Sequence, residues 1–237
     1  MKVELLKDAE SVAVAAAALI AEDARAAVAA RGRFAFAVSG GHTPWIMLEA
    51  LAGEDMPWAR VHIFQVDERI APAGHPDRNL THLEESFLKR APLRPEQIHA
   101  MQVEDPDIEA ASAHYSAALR GVTGCPPALD LVHLGLGPDG HTASLVPGDP
   151  VLDVTDKDVG ISGVYQGRRR MTLTFPTINR ARKILWVVTG SEKVEMLRRL
   201  REGDTSIPAG RIHQERALVL ADRAAAEKLT AEHKQGG

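Results

Sequence analysis

Cysteine is nearly missing from this 237-residue chain: Cys125 stands alone. No intrachain disulfide can form, which fits a reducing compartment, and no set of thiolates can hold zinc. Positive charge is not in excess either. The 32 Asp and Glu outnumber the 28 Lys and Arg, leaving a net charge of −4. No overall basic field favours nucleic acid, so any anion site must be local. Long apolar runs are also lacking. The longest, Val12 to Ala21, is too short to span a bilayer. Glu4, Asp8 and Glu10 precede it, where a signal peptide needs positive charge. No HExxH pattern and no GxSxG elbow occurs, so neither a required metal nor a serine triad is expected. These absences point to a soluble, unprocessed, cytoplasmic protein with no membrane or nucleic-acid partner.

What is present is ordinary globular composition, 45% hydrophobic and 25% charged. The length allows one large domain or two small ones. With no repeat, low-complexity tract or clear linker, residues 1–237 are read as one domain. The alanine-rich stretch Asp8 to Arg31 reads as a helix ending near Gly32. Short apolar strands are expected at Phe34 to Val38, Val61 to Val66, Ile98 to Met101, Leu129 to Leu134, Ile184 to Val188 and Leu218 to Leu220. Val159 to Tyr165 and Arg170 to Phe175 add two more. Helices are expected at Trp45 to Ala52, Thr81 to Lys89, Pro106 to Arg120, Ser191 to Arg201 and Arg223 to Glu232. Strands alternating with helices imply an α/β fold: a three-layer α/β/α sandwich, Rossmann-like, with a mostly parallel sheet and a small extra β region. In such sheets ligands sit off the carboxyl ends of the strands. The polar stretch Asp153 to Gly160 is the candidate for an insertion or mobile loop.

The chain is organised around residues 129–150, LDLVHLGLGPDGHTASLVPGDP. A buried strand runs into Gly135, Gly137 and Gly140, then presents Asp139, His141, Thr142 and Ser144. An acid two residues from a histidine at a strand end suits proton transfer. The spacing Gly135-x-Gly137-x-x-Gly140 also matches the dinucleotide fingerprint. That needs a long following helix, which Pro147, Gly148 and Pro150 cut short. It also needs an acid ending a second strand about 20 residues on. Asp153, Asp156 and Asp158 follow no strand, so the dinucleotide reading is set aside. Two more polar loops leave strand ends. Ser39-Gly40-Gly41-His42-Thr43 leads into a helix start and is either a phosphate cradle or a tight turn. Asp67-Glu68-Arg69 is either a solvated turn with a surface ion pair or a place where Arg69 forks onto a phosphate. In the run Arg168-Arg169-Arg170, alternation allows one cation to face a site while its neighbours point away. Lys193 is either a surface lysine or a phosphate counter-ion. His75 and His82 flank a loop that could lie near the site; His62, His99, His114, His213 and His233 show no obvious partners.

In order along the chain, SGGHTP, DERIAPAGHPDRN, GLGPDGHTASLVPG, RMTLTFPTIN and VTGSEK resemble the motifs of 6-phosphogluconolactonases. The resemblance runs from about Phe34 to Leu220. It implies the fold shared with glucosamine-6-phosphate deaminases and ribose-5-phosphate isomerases. It implies hydrolysis of a phosphosugar lactone with no cofactor, by a monomer or small homo-oligomer. His141 matches the family's proposed general base and Asp139 a supporting acid. Arg69, Arg170 and Lys193 fall at phosphate-binding cations, beside Ser39, Gly40, Gly41 and Thr43, with Asp67 also at the substrate. His42, Arg78 and Leu80 depart from the family pattern, which leaves their local contacts open. The rival readings are an isomerase or deaminase using Asp67 as its acid–base, and a non-catalytic sugar-phosphate sensor.

Overall fold

The computed structural model describes residues 1–229. In chain order the elements are β1 (Lys2–Leu6), α1 (Ala9–Arg31), β2 (Phe34–Val38), α2 (His42–Ala52), β3 (Val61–Gln65), β4 (Asp67–Arg69), α3 (Asn79–Leu83), β5 (Ile98–His99), α4 (Ile108–Thr123), β6 (Leu131–Leu134), β7 (Val159–Tyr165), β8 (Arg168–Leu173), α5 (Phe175–Asn179), β9 (Ile184–Val188), α6 (Val194–Glu202) and β10 (Ala217–Asp222). Seven strands form one parallel sheet in the order β1-β10-β9-β6-β2-β3-β5, and β4-β8-β7 form a small antiparallel sheet. The expected α/β/α sandwich with a small extra β region is the observed one.

The central strands read as continuous apolar runs because both faces of the sheet are covered. All five residues of β2 and all five of β9 are buried. One face packs on α1, α2 and α3 through Phe36, Leu48, Ile63 and Leu185. The other packs on α4, α5, α6 and the small sheet through Phe64, Leu134, Met171 and Trp186. Helix α1 starts where the Asp8 side chain accepts from the Ser11 N–H at 2.8 Å and stops at Gly32, whose φ of 74° suits glycine. Its buried face is mostly alanine (Ala13, Ala16, Ala17, Ala21, Ala24 and Ala27), which lets the helix lie close against its neighbours.

The structure corrects several expectations. Lys2–Leu6 is an edge strand paired in parallel with β10. Its charged Lys2 and Glu4 hide the pattern, since an edge strand keeps polar side chains. Strand β8 ends at Leu173 rather than Phe175, because Pro176 favours the first turn of α5. Helix α4 runs on to Thr123, past the expected Arg120. The helix expected over 81–89 starts earlier, at Asn79, and widens into a π turn over Glu84–Leu88. The helix expected over 223–232 is described only as a turn at 223–226 and helix at 227–229; the remainder lies outside the described residues. The stretch 153–160 is no free loop. Asp158 is buried and accepts from Arg120 Nε at 2.7 Å, Arg180 Nη2 at 2.6 Å and Thr177 Oγ1 at 2.9 Å through its own carbonyl.

At the far edge of the sheet His62 Nδ1 and His99 Nε2 lie 3.2 Å apart, and His99 stacks on Phe64. Burial, then the facing His62, pushes His99 down to about 4 from 6.5. Burial, then Arg33 and Arg94, lowers His62 as well. Burial alone takes His133, inside the sheet, to about 3. In each case the unfolded chain takes up the proton first. The stabilisation is therefore present above pH 6.5 and is lost as the pH falls below it, towards 4 for His99 and towards 3 for His133. Urea unfolding should show lower stability at pH 5 than at pH 7. His99→Phe, which keeps the stacking, should reduce that difference without removing the His133 part; an undiminished difference would refute the assignment.

Candidate active site

The carboxyl ends of β2, β6 and β9, with β4, surround a cavity of about 510 Å³. Nine of the ten residues expected at the site line it: Ser39, Gly40, Gly41, Thr43, Asp67, Arg69, His141, Arg170 and Lys193. The tenth, Asp139, is bonded to His141 from behind. Three loops far apart in sequence thus converge because their strands are neighbours in the sheet.

The β6 loop folds on itself. Gly137 N–H donates to the His141 carbonyl at 2.8 Å and Gly140 N–H to the Gly137 carbonyl at 3.1 Å. Gly140 has φ 83°. A Cβ on Gly137 would lie 2.1 Å from His141 Nδ1, so the imidazole packs where only glycine leaves room. These N–H groups are used inside the turn. Asp139 Oδ1 lies 2.5 Å from His141 Nδ1 and also accepts the His141 backbone N–H at 3.1 Å. Burial favours the neutral acid, but the His141 bonds and the Tyr165 hydroxyl outweigh it and hold the Asp139 carboxyl below its usual range. An ionised Asp139 places the proton on Nδ1, so Nε2 is the basic nitrogen left for the cavity.

The anion side is built from the small sheet. Arg69 on β4 stands directly opposite Arg170 on β8, a pairing of like charges that is unfavourable by itself. Arg69 Nη1 donates to the Asp77 carbonyl at 2.9 Å and to Asn79 Oδ1 at 3.0 Å. Arg170 Nη2 donates to Gln166 Oε1 at 3.2 Å. The Nε of each arginine is buried without a partner. An unpaired buried donor costs about 1–3 kcal/mol, more when charged. Both arginines line the cavity, so their guanidinium groups put positive charge on its wall. Of the three consecutive arginines it is Arg170 that faces the site; Arg168 is turned onto Asp77 at 3.0 Å and His75 at 3.1 Å. Lys193 reaches the cavity from the β9 side, on the turn Ser191–Lys193.

What holds β4 is Glu68, completely buried and not the surface ion pair its setting allowed. Its Oε1 accepts from the N–H of Arg69 and of Asn79, and its Oε2 from the Leu80 N–H and Gln65 Nε2, all at 2.8 Å. Arg78, itself buried, lies 3.6 Å from Oε2. The departure from the family pattern at Arg78 therefore supplies the counter-charge to Glu68. Asp67 lines the cavity with its carboxylate taken by Ser144 Oγ at 2.6 Å and Asn79 Nδ2 at 3.3 Å.

The β2 loop is tied down as well. Ser39 Oγ donates to the His133 carbonyl at 2.9 Å, and Ser39 N–H donates to His133 Nδ1 at 3.2 Å. The Ser39 hydroxyl hydrogen is thereby committed within the protein. Thr43 Oγ1 lies 2.7 Å from Thr189 Oγ1. His42 opens α2 and lines the cavity, whereas His75 and His82 do not. Among the described residues, no group of three His, Cys, Asp or Glu side chains is placed to hold a metal ion.

Sequence reasoning missed Asn79, His133, Tyr165 and Asp222. Asn79 fits against Gly40, where a Cβ would sit 2.0 Å from its Oδ1. A glycine pair after one strand and an asparagine at a distant helix start carry no sign of that contact. Tyr165, one of two tyrosines, ends β7 just before Gln-Gly. That turn was legible; the direction of the ring was not.

The fold and cavity define an α/β protein with an imidazole–carboxylate pair and a cluster of cations off the carboxyl ends of a parallel sheet. The family described as glucosamine-6-phosphate isomerases/6-phosphogluconolactonase matches residues 7–220. A 6-phosphogluconolactonase of a Nostoc species is 35% identical over 236 residues, spanning 96% of this chain and 98% of the relative. One from a Synechocystis species is 38% identical over 211 residues, spanning 86% and 88%. The crystal structure of 6-phosphogluconolactonase from Thermotoga maritima has 28% identity and a TM-score of 0.83, covering 93% of this chain and 98% of that one. A monomeric glucosamine-6-phosphate deaminase shares the fold at TM-score 0.84 with 20% identity. The chain belongs to the glucosamine-6-phosphate isomerase/6-phosphogluconolactonase family.

Glu68→Ala should lower the unfolding free energy by about 3–5 kcal/mol, the range for breaking a buried charged pair. Denaturant titration measures this. A loss of under about 1 kcal/mol, as for an exposed pair, would show that the 69–80 loop is held by other contacts.

Proposed function

We propose that this protein opens 6-phospho-D-glucono-1,5-lactone to 6-phospho-D-gluconate, the lactonase step of the oxidative pentose phosphate pathway. The observation that carries the reading is one cavity lined both by His141, backed by Asp139, and by the cations Arg69, Arg170 and Lys193. The relatives named 6-phosphogluconolactonase support the same substrate. The working unit is a single α/β domain, as a monomer or small homo-oligomer in the cytoplasm, using no cofactor. Among the described residues, no helix is long and apolar enough to cross a membrane.

A δ-lactone is an activated ester, so water needs modest help to attack C1. His141 Nε2 takes a proton from that water as its oxygen bonds to C1 and the carbonyl electrons move onto oxygen. Asp139 fixes the imidazole in the tautomer that leaves Nε2 basic and stabilises the imidazolium that forms. Collapse of the tetrahedral intermediate breaks the bond from C1 to the ring oxygen, which takes the proton back from Nε2. The products are a carboxylic acid and a free C5 hydroxyl. Arg69, Arg170 and Lys193 hold the phosphoryl group away from C1, and that binding positions the ring. Gly40, Gly41 and Thr43 shape the wall between.

The rival isomerase or deaminase reading needs Asp67 free to move a proton between C1 and C2. Its carboxylate is instead bonded to Ser144 and Asn79, which favours the lactonase. The decisive experiment offers freshly generated lactone and, separately, glucosamine 6-phosphate, subtracting spontaneous ring opening. Turnover of the amino sugar alone would overturn the proposal. His141→Ala should lower kcat by ~10²–10⁴-fold, the usual contribution of a general base. It should leave the fold intact, and wild-type turnover would remove His141 from this role. Arg69→Ala removes a charged hydrogen bond worth ~1.5–3 kcal/mol, so KM should rise roughly ten- to a hundredfold. An unchanged KM would exclude Arg69 from the phosphate site.

A further inference from the structure

We propose that Tyr165 is a positioning residue of this site, which ties the guanidinium of Arg170 to the Asp139–His141 pair. This rests on the reading of His141 as the base. The Tyr165 hydroxyl donates to Asp139 Oδ2 at 3.0 Å. Its ring meets the His141 ring edge to face, with centroids 5.3 Å apart at 66°. On its other side Arg170 Cζ lies 4.9 Å from the ring centroid, and Arg170 Nη2 donates to the Tyr165 carbonyl at 3.4 Å. One side chain therefore touches the acid, the base and a cation of the anion side.

Backbone geometry explains how it gets there. Tyr165 ends β7, and Gln166 with φ 50° and Gly167 with φ 79° form the tight turn to Arg168. Both central residues have positive φ, as the favoured two-residue hairpin turn requires. Just before the turn the register slips between Ser162 and Tyr165. Such an irregularity re-aims side chains: Val164 is left 71% exposed while Tyr165 turns onto the site.

The chemistry follows from the two oxygens of Asp139. Oδ1 serves His141; Oδ2 serves Tyr165. Without the hydroxyl the carboxylate is freer to rotate and is a stronger acceptor for the imidazole proton, so the imidazolium is favoured. Asp139 faces His141 from its own loop, and the charged or titratable groups sharing its cavity are Asp67 and Arg69 on β4, Arg170 on β8, His42 on α2, Glu192 and Lys193 on the turn before α6, and Asp222 at the end of β10. An anion on the two arginines alters the cation that rests on the Tyr165 ring. The binding step is thereby linked mechanically to the base.

The test follows the His141 imidazole by NMR titration in the wild type, Tyr165→Phe and Tyr165→Leu, each with and without inorganic phosphate as the probe. Tyr165→Phe keeps the ring under Arg170 but loses the hydroxyl. Its His141 midpoint should move up by roughly half a pH unit to one unit, the worth of one hydrogen bond. The acid limb of kcat/KM should move with it, and KM should stay the same. An unmoved midpoint overturns the positioning role. Phosphate should shift the His141 titration in the wild type and in Tyr165→Phe. In Tyr165→Leu the shift should fall below half, leaving only the direct field of the anion; an undiminished shift overturns the link to Arg170. Lactone hydrolysis by the wild type is scored separately. A wild type that fails to open the lactone refutes the functional reading, while the titration midpoints still decide the placement of Tyr165.

Discussion

A single buried carboxylate organises the cationic side of the cavity. Glu68 collects four N–H donors from residues 65, 69, 79 and 80 and sits beside the Arg78 guanidinium. An uncompensated charge in such a place would cost several kcal/mol, so the donors and the counter-charge must be present together. Once they are, the loop between β4 and α3 has one available path. Arg69 and Asn79 then project side by side, and Asn79 closes against the glycine loop after β2. Pairing of β4 with β8 brings Arg170 opposite Arg69. The concentration of positive charge is a consequence of strand register.

The side of the cavity that carries His141 is organised differently. It depends on a short loop that satisfies its own backbone and uses glycine where the imidazole must pack. Nothing there is strongly charged except Asp139, whose two oxygens are held by His141 and Tyr165. The two sides meet at the β7–β8 turn. In the proposed reaction, a phosphosugar is held at one end by cations anchored through Glu68 and worked on at the other by an imidazole whose tautomer Asp139 sets. Separating grip from chemistry lets distant binding energy orient a ring that itself offers few charged handles.

Much of this was legible in the residues. Continuous apolar runs such as FAFAV and ILWVV read as strands of a mostly parallel sheet, and the helix stop at glycine held where Gly32 ends α1. The pairing of Asp139 with His141 was legible because both lie within one turn. The family resemblance named Arg170, but alternation leaves Arg168 on the same face, and only the contacts of Arg168 with Asp77 and His75 separate the two. Other features left no local trace. Lys2–Leu6 reads as polar yet is a strand, because β10 from the other end of the chain supplies its partner. Asp153 to Gly160 reads as loose, yet arginines from α4 and from beyond α5 grip Asp158.

Local order, then, was set by short-range rules: periodicity of apolar residues, proline and glycine geometry, and the proximity of an acid to an imidazole two positions away. The sequence by itself determined which segments are the central strands of the covered sheet and which loop pairs Asp139 with His141. Only the tertiary structure decided that Glu68 is buried, that the Ser39 hydroxyl faces His133 instead of a ligand, and that Tyr165 reaches Asp139. The reason is physical. Burial and long-range hydrogen bonding depend on which chains of atoms come to lie beside a residue, and those neighbours are set by the order of strands in the sheet.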